Sequence, residues 1–109
     1  MMGEMTWSKT EKSISRAAFD KALKNELDST IQTVKEMARS ISEPRQIWEL
    51  EDYLRKKRRE IDDKYDYRYS VLLFVFGHLV KEGWIGMEDL QGLAEEKIER
   101  IRLIAEAVY

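Results

Sequence analysis

The side chains that could take part in acid–base or metal chemistry are few and scattered. His78 is the only histidine, and the chain has no cysteine. A serine triad would therefore have one possible base, and no Glu-x-x-His pair exists for a di-iron bundle. His78 and Glu82 form a single pair, more typical of a packed or capping histidine than of a ligand. The acidic group Asp62, Asp63 and Asp66 lacks the glycine and spaced oxygens of a calcium loop. The sequence predicts a binding protein without catalytic residues, metal or cofactor.

A basic run, "RKKRR" at Arg55–Arg59, raises the question of nucleic-acid binding. Residues 49–66 hold six basic and seven acidic residues, and the whole chain has a net charge of −2. Glu51 and Arg55 form one of several i,i+4 pairs in the favourable order, which support a solvated helix. We therefore expect a solvated or dimer-facing helix and no nucleic-acid partner. A small nucleic-acid-associated helical protein is the alternative that this run would support.

The composition favours an all-α fold in one domain. Of 109 residues, 37% are charged, with one proline and five glycines, so the chain has little material for tight turns. The beginning, "MMGEMTWSKTEKS", lacks the apolar core of a signal peptide, and no run approaches the roughly 18 apolar residues of a membrane span. We expect a single helical domain over residues 1–109, cytoplasmic and without membrane insertion.

The first helix should begin directly after Ser8. Ser8 and Glu11 form a capping-box pattern, in which each side chain accepts a hydrogen bond from the other residue's amide. From Lys9 to about Ile41, apolar residues recur at spacings of three and four without any glycine or proline. Such a helix is about 50 Å long, longer than a compact domain of this size is wide. We therefore predict that a second copy covers part of the apolar stripe, giving an elongated homodimer.

A second helix is expected after the break at "ISEPRQIW", with Ser42 as its cap and Pro44 in its first turn. This arrangement predicts a helical hairpin. One face of the second helix is apolar and holds Ile47, Leu50, Leu54, Ile61 and Tyr65. Trp48 lies among charged residues on another face, and tryptophan with arginine is typical of interface anchors. The alternative is that Trp48 simply covers the edge of the hairpin.

The last third of the chain predicts a small helical bundle. The apolar run Val71–Phe76 follows the charged, tyrosine-rich "EIDDKYDYRY" without a turn signal, and it predicts a buried helix that ends at Gly83. Six consecutive residues sweep about 600° around a helix, so some of them must point away from any single packing surface. A β-strand at Val71–Phe76 is the alternative, although no second strand is available to pair with it. A short and a longer helix should follow, with Gly92 as the break between them. Their apolar series is Leu90, Leu93, Ile98, Ile101, Ile104 and Val108.

Residues 48–83, "WELEDYLRKKRREIDDKYDYRYSVLLFVFGHLVKEG", resemble the cyanobacterial fluorescence recovery protein family. The similarity extends through Trp7-Ser8 and "NEL" upstream and "DLQGLAEEK" downstream. It implies an all-α fold with a long helical hairpin stalk, about residues 8–66, that dimerises, and a small helical head, about residues 67–109. It further implies a non-enzymatic regulator that binds photoactivated orange carotenoid protein, speeds its red-to-orange relaxation and helps it leave the phycobilisome. Such a protein would be associated with thylakoids and phycobilisomes in a cyanobacterium.

The resemblance also implies roles for particular residues. The family's dimer-interface residues correspond to Trp48, Asp52 and Arg58, and its partner-binding residues in the head to Phe74 and Arg100. Glu51 stands where the family pattern has a histidine. A second hypothesis is therefore a dimeric scaffold of this fold that serves a different protein partner, in a bacterium without the carotenoid protein.

Overall fold

The computed structural model describes residues 6–107, and the predicted all-α fold is confirmed. The helices are α1 (Lys9–Arg39), α2 (Pro44–Lys64), α3 (Leu72–Glu82), a 3-10 helix (Met87–Leu90) and α4 (Glu95–Glu106). The chain is elongated, with extents of 56 × 25 × 22 Å and a radius of gyration of 17.0 Å. A compact domain of this length would have a radius of gyration of about 13 Å.

Helix α1 begins as its capping box predicts. The Ser8 hydroxyl accepts a hydrogen bond from the Glu11 amide at 3.1 Å, and the Glu11 carboxylate accepts one from the Ser8 amide at 3.0 Å. All of its buried residues lie in the first part of the helix, up to Glu26. Further along, Leu27 is 42% exposed and Ile31 is 50% exposed. The second part of α1 therefore presents apolar side chains that a single chain leaves uncovered.

Helix α2 begins at Pro44, but its predicted cap is wrong. The N-cap is Glu43 rather than Ser42. The Gln46 side chain reaches back and accepts hydrogen bonds from the Ser42 and Glu43 amides at 2.6 and 2.9 Å. This long amide side chain takes the place of the expected serine hydroxyl in satisfying the free donors of the first turn. None of the 21 residues of α2 is buried within one chain.

The segment between α2 and α3 is not helical. The sequence has no turn signal between the tyrosine-rich stretch and the apolar run, but the two do not form one continuous helix. Tyr65, Tyr67 and Tyr69 alternate with Asp66 and Arg68. The Phe19 ring of α1 packs edge-on against Tyr65 at 5.4 Å and Tyr67 at 4.9 Å between ring centroids. Asp66 and Arg68 pair with each other at 2.6 Å. Alternate side chains thus fasten this segment to the N-terminal part of α1.

The apolar run forms a buried helix, α3, and the alternative of a strand at Val71–Phe76 is wrong. Leu72, Phe76 and Leu79 are fully buried. They share one core with α1 and with the segment that follows α3, the remaining members being Ala18, Phe19, Ala22, Val75, Ile85, Leu90, Leu93 and Ile101. Gly83 ends α3 with a positive φ of 84°, as predicted from its C′ position.

Two further glycines set the geometry of the head. Gly92, with φ of 105°, separates the 3-10 helix from α4, which confirms the predicted break. Gly77 lies where a Cβ atom would overlap the Ile104 side chain, so α3 and α4 approach closely at this point. Val108, which the sequence assigned to the apolar series of the last helix, lies outside the described residues.

Candidate protein-interaction site

The two phenylalanines of α3 differ completely in exposure. Phe74 is 59% exposed, whereas Phe76 is 0% exposed. Because both belong to one continuous apolar run, this difference follows from their separation of about 200° around the helix. A large aromatic side chain at the surface of the head is therefore available for contact with another molecule.

Phe74 forms part of the wall of an open groove between the end of α2 and α3. The groove has a volume of about 490 Å³. Its lining is Glu60, Asp63, Lys64, Asp66, Val71, Phe74, Val75, His78 and Glu82. The His78 ring nitrogen Nδ1 hydrogen-bonds the Phe74 carbonyl oxygen, one turn earlier, at 2.8 Å. This contact lies in the interior of α3 and not at a helix end. Arg100, the other predicted partner-binding residue, is half-buried on α4 and does not line this groove.

The predicted dimer-interface residues lie on exposed parts of α2. Trp48 is 65% exposed, and Asp52 follows it by one helical turn, also exposed. Arg58 lies further along α2, its side chain 86% exposed and 3.9 Å from Asp62. Arg58 also lines a small apolar groove between α1 and α2, beside Leu27 and Leu54. Helix α2 thus exposes a tryptophan, an arginine and aliphatic side chains.

Several exposed apolar residues were assigned to the hairpin's own packing face by their periodicity. Ile47 is 49% exposed and Leu54 is 42% exposed. Their positions match the apolar face of α2, but α1 does not cover them in a single chain. On α4, Leu103 is 60% exposed and was not singled out from the sequence. Its position off the Ile98, Ile101 and Ile104 series is the signal that would have marked it.

A buried carboxylate, Glu26, joins the hairpin to the head, and sequence reasoning missed it. Glu26 is 0% exposed and accepts hydrogen bonds from Lys57 at 2.7 Å, Lys64 at 2.8 Å and the Tyr65 hydroxyl at 2.9 Å. Lys64 also pairs with Glu82 of α3 at 2.7 Å. The signal was its spacing of four from Ala22 and seven from Phe19, which places it on the buried face of α1.

The environment of Glu26 favours its ionised form. Burial opposes ionisation, but the hydrogen bonds from Lys57, Lys64 and Tyr65 together lower the pKa of the carboxyl group. Burial and the neighbouring Glu26 carboxylate raise the pKa of Tyr65. The group is therefore a charged network of one carboxylate, two ammonium groups and a neutral hydroxyl at physiological pH.

A second buried ion pair fastens the N-terminal end of α1 to α4. Lys97 Nζ donates to the Glu11 carboxylate at 2.8 Å and to the Thr6 carbonyl at 2.5 Å, and it lies 4.2 Å from the centre of the Trp7 ring. The Ala94 amide also donates to Glu11, at 2.8 Å. Burial opposes ionisation of Glu11, but these hydrogen bonds lower its pKa from 4.5 to about 2.

The lowered pKa values of Glu11 and Glu26 predict that the protein loses stability in acid. A carboxyl group with a lower pKa in the folded than in the unfolded state stabilises the fold fully above the unfolded value. For Glu11 this contribution should decrease as the pH falls from about 4.5 towards about 2. Urea unfolding between pH 7 and pH 3 measures the effect, and Glu11→Gln should show a weaker dependence on pH than the wild type. An equal dependence in both proteins would contradict this assignment.

Within residues 6–107, the structure contains no cluster of three or more histidine, aspartate or glutamate side chains able to hold a metal ion. No helix in this part of the chain is long and apolar enough to cross a membrane. The described residues do form an exposed apolar face on the hairpin and a groove beside an exposed aromatic residue on the head. Within this all-helical fold, these are surface features of the kind found where proteins bind one another.

Comparison with known proteins identifies the family. A family model described as "Photoprotection regulator fluorescence recovery protein" matches residues 7–105. The chain is 43% identical to the fluorescence recovery protein of Synechocystis sp. over 102 residues, 94% of each chain. The solved structure of the Fremyella diplosiphon protein matches with 44% identity and a TM-score of 0.90, covering 94% of this chain and 100% of the other. That of Synechocystis sp. PCC 6803 matches with 42% identity, the same TM-score and the same coverage. The chain belongs to the fluorescence recovery protein family of photoprotection regulators.

Proposed function

We propose that this chain is a non-enzymatic regulator that binds photoactivated orange carotenoid protein. It accelerates the return of that protein from the red to the orange state and its detachment from phycobilisomes, which ends photoprotective quenching. The observation that carries the proposal is the exposed Phe74 beside an open groove, in a chain of a photoprotection regulator family. In this function the protein is cytoplasmic and associates with phycobilisomes at the thylakoid.

Such a regulator acts through differential binding. A protein accelerates the relaxation of a two-state partner when it binds the compact form, or the route to it, more tightly than the open form. This mechanism requires no covalent bond to be made or broken. It requires exposed side chains that can bind a partner, such as Phe74 on the head. Phe74 and Arg100 are the head residues that we assign to this contact.

The working form in this proposal is a homodimer, joined through the stalk. Helix α2 has no buried residue in a single chain, and its neighbour α1 exposes Leu27 and Ile31. A second copy would cover these side chains and Trp48, with Asp52 and Arg58 at the edge of the contact. Residues 8–66 then form the dimerising stalk and residues 67–109 the head, with the N-terminal part of α1 packed into the head's core.

The alternative is a scaffold of the same fold with a different protein partner. It rests on Glu51, which is exposed and pairs with Arg55 at 2.5 Å where the family pattern has a histidine. This pair places a carboxylate next to Asp52 on the stalk. Conservation of gene neighbourhood with an orange carotenoid protein would favour the first proposal, and its absence the second.

The proposal predicts opposite effects for the two phenylalanines of α3. Phe74→Ala should leave dimerisation and helicity intact but slow the acceleration of red-to-orange recovery about tenfold, because an exposed aromatic anchor is lost. Phe76→Ala should instead lower the free energy of unfolding by about 3 kcal/mol, because it leaves a cavity in a fully buried site. Recovery of the carotenoid absorbance after illumination gives the rates, and urea unfolding gives the stabilities. Equal recovery rates for wild type and Phe74→Ala would exclude Phe74 from the contact.

A further inference from the structure

We infer that the groove between α2 and α3 receives a segment of the partner protein that carries a lysine or arginine next to an apolar side chain. This inference rests on the proposed function, since it specifies the chemistry of the partner at the surface that holds Phe74. Two properties of the groove support it: an apolar lining along α3 and an excess of carboxylates around the end of α2 and the end of α3.

The apolar side of the groove is provided by Val71, Phe74 and Val75. Phe74 is more than half exposed, so a partner side chain that covered it would remove apolar surface from water. The groove volume of about 490 Å³ is large enough for side chains of a docked segment. This side therefore fits an aliphatic or aromatic group.

The groove is also acidic. Glu60 and Asp63 line it from α2, Asp66 from the segment between α2 and α3, and Glu82 from the end of α3, against a single lysine, Lys64. Lys64 is already committed, since its ammonium group contacts both the buried Glu26 and Glu82 at 2.7 to 2.8 Å. Its charge is therefore matched by carboxylates that it contacts directly and does not neutralise the remaining ones.

The individual carboxylates differ in how far they are compensated. Asp66 pairs with Arg68, and among the described residues Glu60 has long contacts to Lys57 at 3.6 Å and Lys64 at 3.5 Å. Asp63 is exposed and forms no ion pair with any residue in the described part of the chain. The groove thus retains a negative potential centred on Asp63 and Glu60, next to the apolar wall that Phe74 provides.

Other occupants fit these features less well. An acidic segment or a nucleic acid would be repelled by the carboxylates. No cluster within residues 6–107 is able to hold a metal ion. The basic run of a second copy is the other source of cations, although Arg55 and Lys57 are already paired with Glu51 and Glu26, and the oligomeric state of wild type and Asp63→Lys distinguishes it. A cationic and apolar segment of another protein matches both properties of the groove.

Reversing the charge of Asp63 tests the inference. Asp63→Lys should weaken binding to photoactivated orange carotenoid protein about tenfold at low ionic strength, and the difference should shrink at about 0.5 M salt. Glu36→Lys is the matched control: the residue is exposed, forms no ion pair with the described residues and lies at the other end of the hairpin. The affinity of Glu36→Lys for photoactivated orange carotenoid protein should remain within about twofold of wild type. Equal affinities for Asp63→Lys and Glu36→Lys would overturn the inference.

A peptide measurement separates this inference from the proposed function. A labelled helical peptide of alternating leucine and lysine blocks should bind wild type at least tenfold more tightly than its glutamate counterpart, and Asp63→Lys should remove the preference. If the carotenoid protein fails to bind but this preference is found, the proposed function is wrong and the groove assignment stands. If neither peptide is preferred, the groove assignment is wrong. Association of wild type beyond dimers that Asp63→Lys abolishes would assign the groove to a second copy instead.

Discussion

Glu26→Ala is expected to lower the free energy of unfolding by about 4 kcal/mol, the largest stability loss we predict for a single substitution. The carboxylate is fully buried, and its removal leaves the ammonium groups of Lys57 and Lys64 and the Tyr65 hydroxyl without their shared acceptor. Removing one partner of a buried ion pair lowers the free energy of unfolding by more than the intact pair contributes, because the remaining charge stays desolvated. Urea unfolding of the dimer at a fixed protein concentration measures the loss.

Two further variants distinguish the loss of the network from a general effect of removing charge. Asp28→Ala, two residues further along α1, removes an exposed carboxylate whose ion pair among the described residues is with Lys24, and it should cost less than about 1 kcal/mol. Combining Glu26→Leu with Lys57→Met and Lys64→Met should recover more than half of the loss, since apolar residues often replace a buried ion group without penalty. A loss below about 1 kcal/mol for Glu26→Ala would show that the lysines move out to solvent at little cost.

This network has a consequence for function because it connects three helices, two of the stalk and one of the head. Glu26 belongs to α1, Lys57 and Lys64 to α2, and Glu82 to α3. The position of the head on the hairpin is therefore tied to the charged end of α2. Since the groove beside Phe74 is bounded by this same end of α2, its shape depends on the network remaining intact. Weakened partner binding is thus expected from Glu26→Ala at pH and temperature where the protein is still folded.

Local signals in the sequence were sufficient for most of the helix boundaries. The Ser8 and Glu11 capping box, Pro44, Gly83 and Gly92 each fix the backbone within a few residues, and the structure agrees with all of them. Such signals depend on neighbours in the chain, which is why they can be recognised without knowledge of the fold. The overall elongated shape followed from the length of α1 for the same reason.

A boundary between stalk and head was expected near Asp66, but the non-helical backbone of the link between α2 and α3 was not predicted, although its sequence carries a signal. In Tyr65–Tyr69 every second residue is a tyrosine, and a period of two indicates extended backbone. Our interpretation instead placed Tyr65 on the apolar face of the second helix. What decides the outcome is the packing of Tyr65 and Tyr67 on Phe19, more than 40 positions earlier in the chain.

Contacts between distant segments also account for what the sequence did not reveal about the candidate site. That one residue of Val71–Phe76 is exposed follows from the geometry of a helix, but the choice of Phe74 came from the resemblance to a family. The groove lies between the end of α2 and α3, which the Lys64–Glu82 ion pair connects, and Gly77 allows α4 to pack closely on α3. None of these neighbours is adjacent in sequence, so periodicity alone does not bring them together.

Trp48→Glu is expected to convert the protein from a dimer into monomers, with dissociation at least about 100-fold more favourable than in wild type. Trp48 is 65% exposed in a single chain, on a helix without any buried residue. If a second copy covers this face, the substitution removes a large aromatic contact and places an unpaired carboxylate in a desolvated position. Light scattering at micromolar concentration should report the mass of one chain instead of two.

The comparison with two other charge changes shows whether Trp48 acts through the interface or through folding. Arg58→Glu, on the same helix, should also give monomers, because Arg58 lies beside the apolar groove of the hairpin. Arg102→Glu changes a partly exposed residue of the head and should leave the dimer intact. Helicity should stay near that of wild type in all three variants, since the core around Phe76 is untouched. A wild type that is monomeric at these concentrations would refute the dimer. The exposed apolar side chains of α1 and α2 would then have to be covered by the partner protein itself.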